Sequence, residues 1–337
     1  MELIDLVKLI GRLTSPHDKF CRKTAFNPLY APDFLKSFGD PTLKELVDLD
    51  NVQAAPTTYL SEELKEVLMD GALTTRLLGT QSLAEVLCHM EHKSKPSHTV
   101  ALQLLAEVGL SLRFRWLLAK RPESGTFEPP IPLMIVVYNG DEDWDGEIWF
   151  QDLFPDLPEK LRPFVPQFRV FFINLRRFKY GNLPGKPETQ AIAESMMRAT
   201  DGTFVAHLPG VVQHVADADL GEHQRADLTR NILFYCNGVA PVTAEQMTNA
   251  ITTTFKGQEA INMVEMIKNS WVQEGIEIGE VRGKIKTLLA VLNGKFKSVP
   301  KHVTEDIEKM TDPIALESLT VLASTTTSID DIVDALK

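Results

Sequence analysis

Hydrophobic positions recur along this chain with two different periods. Leu3, Leu6, Val7 and Ile10 return every three or four residues and predict a leading helix. After a proline-rich interruption near Pro28 and Pro32, a second periodic run extends from Phe34 to Leu49. From Glu66 the texture changes. Val67-Leu68-Met69-Asp70 and Ala72 to Leu78 read as strand, Gly79-Thr80-Gln81-Ser82 as a turn, and Leu83 to Met90 as the returning strand of a hairpin. From His98 to Lys120, Leu102, Leu105, Val108, Leu112 and Trp116 stand at helical spacing, with Arg113, Arg115, Lys120 and Arg121 toward the end. Ile131 to Tyr138 is an almost unbroken apolar run closed by Asn139-Gly140, the pattern of a strand covered on both faces, and Arg169 to Leu175 is a further strand.

Strands and helices thus alternate between about residues 60 and 240, which predicts an α/β fold with a mixed sheet flanked by helices. From Gly257 onward no strand pattern remains; a long helix followed by two or three short ones is expected. The division is therefore a domain over 1–255 and a helical C-terminal module over 256–337. Gly275, Gly279 and Gly283 recur every four residues in the long helix, each costing ~1 kcal/mol against alanine. Close helix packing, built-in flexibility or a solvated connector are the readings of that spacing.

Composition narrows the function classes. With 337 residues, 44% of them hydrophobic and 24% charged, the chain has ordinary globular make-up and room for one large domain plus a smaller one. No run approaches the ~18 apolar residues of a membrane span, and Met1-Glu2-Leu3-Ile4-Asp5 lacks a signal-peptide pattern, so a cytoplasmic protein without membrane contact is expected. Cys21, Cys88 and Cys236 are too scattered for a disulfide framework. A formal charge of −11 argues against coating nucleic acid by bulk electrostatics, so any DNA contact must be local.

The candidate chemistry sits after the hairpin. On a strand, residues i and i+2 share a face, so Glu91 and Lys93 project together, and Asp70 on the neighbouring strand can bring a second carboxylate to the same edge. Two carboxylates suit a hard ion such as Mg²⁺, with Mn²⁺ or Ca²⁺ as substitutes, and the His92 main-chain carbonyl can complete the protein ligands. Such an ion activates water and stabilises charge on phosphorus, while Lys93 can orient or deprotonate that water. A D…ExK pattern is common by chance; the strand, turn, strand and basic helix around it sharpen it. A zinc reading of Cys88, His89, His92 and His98 lacks a second ligand pair at finger-like spacing. Asp18 reads as a helix cap, a surface ion pair or a group reaching the metal. Arg176, Arg177 and Lys179, interleaved with Phe178 and Tyr180, read either as a solvated loop or as a patch for DNA phosphates and bases, and Arg113 and Arg115 are further DNA-binding candidates. Asn139-Gly140 reads as a strand-ending turn. Trp144 and Trp149, among Asp141, Glu142, Asp143 and Asp145, read as an acidic loop. There is no GxSxG nucleophile elbow and no nucleotide-binding loop.

Several stretches together resemble the recombination-promoting nuclease/putative transposase (Rpn, YhgA-like) family of the PD-(D/E)XK nuclease superfamily. They are His17-Asp18-Lys19-Phe20, Val47-Asp48-Leu49-Asp50, the segment ending at Asp70, Glu91-His92-Lys93-Ser94-Lys95-Pro96, Ile131 to Gly140, Gln151-Asp152-Leu153-Phe154 and the glycine-bearing Glu274 to Lys284. The resemblance implies a restriction-endonuclease-like sheet and a Mg²⁺-dependent DNA endonuclease linked to recombination and mobile DNA, with Asp70, Glu91 and Lys93 catalytic. The family usually carries glutamine where Lys93 stands, so this chain matches the wider superfamily better there. It departs in the next helix, where an RLLRYM-like run is usual and this chain has Gln103-Leu104-Leu105-Ala106-Glu107-Val108. A catalytically inactive, nuclease-like DNA-binding or protein-interaction component is the alternative. Self-association through the C-terminal helices is expected in either case.

Overall fold

The computed structural model describes residues 16–55, 58–60, 66–68, 71–80, 82–91, 99–118, 128–140, 142, 144, 148–296, 298–310 and 312–336. The leading helix expected around Leu3 to Ile10 lies outside them. Contacts divide the chain into two compact units, the larger within Arg12–Tyr59 and Glu66–Val264, the smaller built chiefly on Glu265–Lys337.

The larger unit begins with α1 (Pro16–Lys23), α2 (Ala31–Phe38) and α3 (Pro41–Leu46). The periodic run from Phe34 to Leu49 is therefore two helices. Asp40 accepts a hydrogen bond from the Thr42 amide and Pro41 follows it, so a helix start is written into the middle of the run. Pro32, conversely, sits in the first turn of α2, where its missing N–H is harmless.

Six strands form a mixed sheet in the order β1, β4, β5, β6, β8, β7, with β1 (Gln53–Ala54), β4 (Gly71–Arg76), β5 (Leu83–Glu91), β6 (Ile131–Tyr138), β7 (Ile148–Trp149) and β8 (Arg169–Asn174). In the apolar segment before Asp70, Glu66–Leu68 forms β3, which pairs with β2 (Thr58–Leu60) in a separate two-stranded sheet. β4 and β5 are the expected antiparallel hairpin, with Gly71 opposite Cys88 and Arg76 opposite Leu83. β5, β6 and β8 run parallel, and β7 closes the far edge antiparallel to β8.

A parallel neighbour needs a crossover, and between β5 and β6 this is α4 (Val100–Leu118). Val100, Ala101 and Leu104 of α4 pack on Met134, Val136 and Tyr138 of β6, with Trp144, Phe150 and Val170. The buried stripe continues through Glu107 and Ser111, whereas Leu102 and Trp116 are exposed. The helix is apolar on most sides; of the periodic set, Leu105 and Val108 do pack against this core. Trp144, among its acidic neighbours, is buried: its indole lies edge-on to Tyr138 at 5.1 Å and against Phe172 at 4.8 Å. The Tyr138 hydroxyl donates to the Glu142 carbonyl, so the chain just after β6 is folded back onto the core.

Alternation places Ile135 and Val137 on the opposite face of β6, a row that ends in Asn139. Asn139 is more than a turn residue. It is buried, its amide donates to the Met196 carbonyl and to Thr200 Oγ1, and Thr200 Oγ1 donates back to the Asn139 carbonyl at 2.8 Å. Met196 and Thr200 belong to α5 (Pro187–Asp201). The α5 start is joined to α2 where the Lys186 amide donates to Asp33, and Gly185, at φ +90°, leaves no room for a Cβ beside Ser37 and Asp33.

After β8 the described larger unit contains no strand. It is helical through α5, α6 (Phe204–Asp217), α7 (Glu222–Val239) and α8 (Ala244–Thr254), which corrects the expectation of strands alternating with helices as far as residue 240. α1 docks on α7 by stacking Phe20 on Tyr235 at 4.2 Å, with His17 Nδ1 hydrogen-bonded to the Tyr235 hydroxyl at 2.6 Å. Its other neighbours are β4 and β5. The turn after α1 lays Phe26 against Gly71, and a Cβ on Gly71 would lie 2.5 Å from that of Phe26. Between α5 and α6, Arg198 donates to Glu194 at 3.0 Å and His214 Nε2 meets the other Glu194 oxygen at 3.1 Å. Burial pushes the Glu194 pKa up, but the hydrogen bonds from His214 and Arg198 outweigh it and hold the carboxyl below its ordinary range.

A long helix, α9 (Gln258–Lys295), begins in the larger unit. In the smaller unit it is followed by α10 (Lys301–Lys309), α11 (Pro313–Thr325) and α12 (Ile329–Ala335), as expected. Leu288 and Leu292 of α9 share a core with Val303, Ile307, Leu316, Leu319, Ala323 and Ile332. Gly275, Gly279 and Gly283 are all helical, and a Cβ at any of them would meet nothing within 4 Å. The connector reading is thereby replaced by continuous helix, and among the described residues of the chain nothing packs closely on these glycines.

Three outcomes follow from these contacts. Gly71→Ala forces Phe26 to move and is expected to destabilise the protein by about 1–3 kcal/mol in urea unfolding. Gly279→Ala and Gly283→Ala, both at exposed helical positions, should each stabilise α9 by up to ~1 kcal/mol, read as slowed amide exchange. Glu194→Gln should cost about 3 kcal/mol at pH 7, because it leaves the Arg198 charge buried without its partner. Since the folded-state pKa of Glu194 is depressed, its contribution is complete above about pH 4.5 and lost as pH falls through the lower folded value. The difference between wild type and Glu194→Gln should therefore shrink only on the acid side of pH 4.5.

Candidate functional site

Parallel strands that return through crossovers all end on one edge of their sheet, and loops leaving that edge are where α/β proteins build sites. Here the register aligns three strand ends in one row: Glu91 of β5 lies opposite Tyr138 of β6, and Tyr138 opposite Asn174 of β8. With strands ~4.8 Å apart, Glu91 and Asn174 are separated by about 10 Å of sheet. The chain leaves this edge through Asn139-Gly140 after β6 and through a 3₁₀ turn, Leu175–Arg177, after β8.

Of the residues expected to form the site, Asp70, His92 and Lys93 lie outside the described residues. Glu91 is the last residue of β5. The pairing of Gly71 with Cys88 brings the beginning of β4 beside the last turn-free stretch of β5, so the strand ends that flank Asp70 and Glu91 in the sequence are neighbours in the sheet. Cys88 and His89 are in β5, while His98 lies outside the described residues like His92. Among the described residues no three His, Cys, Asp or Glu side chains gather as a metal site. Asp18 is in the first turn of α1 and is not its cap.

Arg113 and Arg115 belong to the far end of α4. A helix of 19 residues rises about 28 Å, which carries the chain from the C-terminal end of β5 toward the N-terminal end of β6. Arg115 there donates to Thr74 Oγ1 in β4 at 3.1 Å. These two arginines and the Glu91 row stand at opposite ends of the sheet.

Arg176, Arg177 and Lys179, by contrast, emerge at the Glu91 edge itself, and all three are exposed. Asn174 Oδ1 accepts from the Arg176 amide at 3.0 Å and caps the turn, while the Asn174 amide donates to the Trp144 carbonyl. Arg176 Nη1 donates to the Gly140 carbonyl at 3.1 Å, tying the loop to the strand end beside it. Phe178 anchors it from below, edge-on to Phe38 at 4.8 Å. Tyr180 holds the far side: its ring lies under the Arg198 guanidinium at 3.7 Å and its hydroxyl donates to Asp201. Burial and the Asp201 hydrogen bond push the Tyr180 pKa up, so it stays a donor. Burial would raise the Asp201 pKa, but hydrogen bonds from Thr203 and Tyr180 overcome this and hold it down. Tyr180 is visible in the sequence as part of the basic stretch. Asn174, Arg198 and Asp201 are not, because only the tertiary return of α5 brings the last two back to the loop.

The stretches that carry the family resemblance have concrete roles. His17 and Phe20 dock α1 on Tyr235. In Val47-Asp48-Leu49-Asp50, Val47 bridges Leu77 and the Asp48 amide donates to the Arg76 carbonyl, which secures the outer side of β4. Ile131 to Gly140 is β6 with its Asn139 knot, and Gln151 to Phe154 falls on the 3₁₀ turn Phe150–Leu153 after β7 and its cap Phe154, with Leu153 packed on the α4 core. No curated protein and no solved structure matches the chain. The family model described as putative transposase, YhgA-like, matches residues 15–225, a span from α1 into α7 that includes the whole six-stranded sheet. More than half of the 337 residues are covered, and the chain belongs to the putative transposase, YhgA-like family.

Proposed function

We propose that this protein is a Mg²⁺-dependent DNA endonuclease that hydrolyses phosphodiester bonds in the service of recombination or mobile DNA. Its family ties it to transposase-like proteins. The observation that carries the reading is the shared edge: the start of β4 beside the end of β5, in line with a loop that exposes Arg176, Arg177 and Lys179. Asp70 and Glu91, with the His92 carbonyl, would hold the ion, since two carboxylates offer the hard oxygen donors it prefers. Bound there, Mg²⁺ would supply Lewis acidity toward a phosphate and its attacking water. Lys93 would orient that water and offset negative charge developing at phosphorus. Arg176, Arg177 and Lys179 would grip flanking phosphates, a local positive field on a chain of net charge −11. Arg113 and Arg115 would meet only a duplex long enough to pass the other end of the sheet. One such site cuts one strand, so self-association, through the C-terminal helices, would serve double-strand cleavage.

The net charge favours a second reading, a binding component without cleavage. Supercoiled plasmid incubated with the protein in Mg²⁺ or in EDTA separates the two. Nicking that requires Mg²⁺ and falls on the order of 100-fold in Asp70→Ala and Lys93→Ala, at unchanged melting temperature, is the expected result. Cleavage in EDTA, or cleavage undiminished in both variants, overturns the mechanism; DNA retention without any nicking establishes the binding role instead.

A further inference from the structure

The basic loop after β8 is restrained more heavily than a solvated loop needs. Its first residue pair is capped by Asn174, Arg176 reaches the Gly140 carbonyl, and Phe178 is seated on Phe38. Those three contacts fix its beginning and middle. What fixes its end is a cluster on α5 that the chemistry proposed above does not use. Arg198 is buried and its charge is met by Glu194, with Nε and Nη2 both 3.0 Å from the same carboxylate oxygen. Its Nη1 donates to Thr203 at 3.0 Å, so the guanidinium plane is locked before Tyr180 lies under it. Asp201 is likewise set, accepting from the Thr203 amide at 2.9 Å and from the Thr203 hydroxyl at 2.6 Å while its other oxygen takes the Tyr180 hydroxyl. A locked cation above the ring and a locked carboxylate at the hydroxyl define one position for Tyr180, one residue beyond Lys179.

We propose that Tyr180, clamped between Arg198 and Asp201, is a positioning residue that holds Arg176, Arg177 and Lys179 as a preformed phosphate-binding surface along the Glu91 edge. The step rests on the DNA-processing reading. Ordering three long side chains within four residues costs conformational freedom, and DNA binding would otherwise bear that cost. The Tyr180 clamp supplies that order in the free protein. Its ring and hydroxyl are engaged by α5, and Arg176, Arg177 and Lys179 are exposed beside it. α5 is at the same time hydrogen-bonded to Asn139 at the end of β6, so loop and strand edge are referenced to one helix.

Two measurements on Tyr180→Ala, Tyr180→Phe and wild type test this, each protein checked for an intact melting transition. The first does not involve DNA. Trypsin cleaves after arginine and lysine, and the loop offers three such bonds; native-state cleavage between residues 176 and 180 should accelerate roughly 10-fold or more in Tyr180→Ala, in proportion to the loop's opening. Tyr180→Phe, which keeps the ring under Arg198, should fall between the two. The second is the affinity of a labelled 30-base-pair duplex as a function of salt, in EDTA to prevent cleavage. Each phosphate contact contributes ~0.9 to the slope of log affinity against log salt, so Tyr180→Ala should flatten the slope by about 1–2 and weaken binding several-fold at low salt. A purely structural residue would lower the melting temperature and leave that slope alone. Unchanged trypsin cleavage in Tyr180→Ala overturns the clamp. A faster cut loop with an unchanged salt slope overturns its role in DNA binding, and wild type that shows no salt-dependent affinity overturns the DNA reading on which it stands, while the trypsin comparison still decides whether Tyr180 holds the loop.

Discussion

Two parallel strands cannot be joined by a tight turn; the chain has to travel back the length of the sheet before it can add the next strand in the same direction. In this protein that constraint is met between β5 and β6 by α4, and between β6 and β8 by the segment through β7 and the exposed stretch after it. Every return restores the same polarity, so the ends of β5, β6 and β8 accumulate at one edge. Most of what distinguishes the larger unit depends on that accumulation. α4 is long because it must span the sheet, β6 is apolar on both faces because it is covered from both sides, and the residues just after the strands share one neighbourhood although they are far apart in the chain.

That edge also concentrates buried polar groups that would be costly anywhere else. Asn139 and Asn174 are buried and bonded to other elements, while buried Glu194 and Arg198 pair with each other along α5 and reach beyond it to His214 and Thr203 respectively. Such groups are favourable in a low-dielectric setting only when fully matched, and then they specify a single arrangement more sharply than apolar contacts do. The helical layer is consequently not held by side-chain packing alone; α5 is registered against β6 through Asn139 and Thr200, and against α6 through Glu194 and His214.

The hairpin, α4, β6, β8 and the helical C-terminal module were legible in the sequence because each carries a local signal: alternation, an unbroken apolar run or helical spacing. The reading faltered where local signals compete or are silent. A periodic run concealed two helices because the Asp40-Pro41 start interrupts the backbone and leaves the apolar spacing untouched. The buried face of α4 is not singled out by spacing because most of its sides are apolar, and the burial of Trp144 has no local signal because its partners, Tyr138 and Phe172, are set by tertiary structure. For the candidate site, the sequence supplied the residue types and the strand ends. The row of Glu91, Tyr138 and Asn174 could not be read from it, since a register across three strands is a property of the sheet.

The sheet's outer strands are its shortest. β1 and β7 are two residues each, and beyond β1 the side of β4 is taken up by the Ala55 amide on the Ala72 carbonyl, the Val47 bridge and the Asp48 amide on the Arg76 carbonyl. At the opposite side the Phe150 amide reaches the Phe168 carbonyl just past the β7 pairing. Few backbone donors and acceptors are therefore left in a straight row for a foreign strand to copy, which is how natural sheets avoid edge-to-edge aggregation. Copies of this chain that meet with this sheet intact have little to gain from extending its described edges.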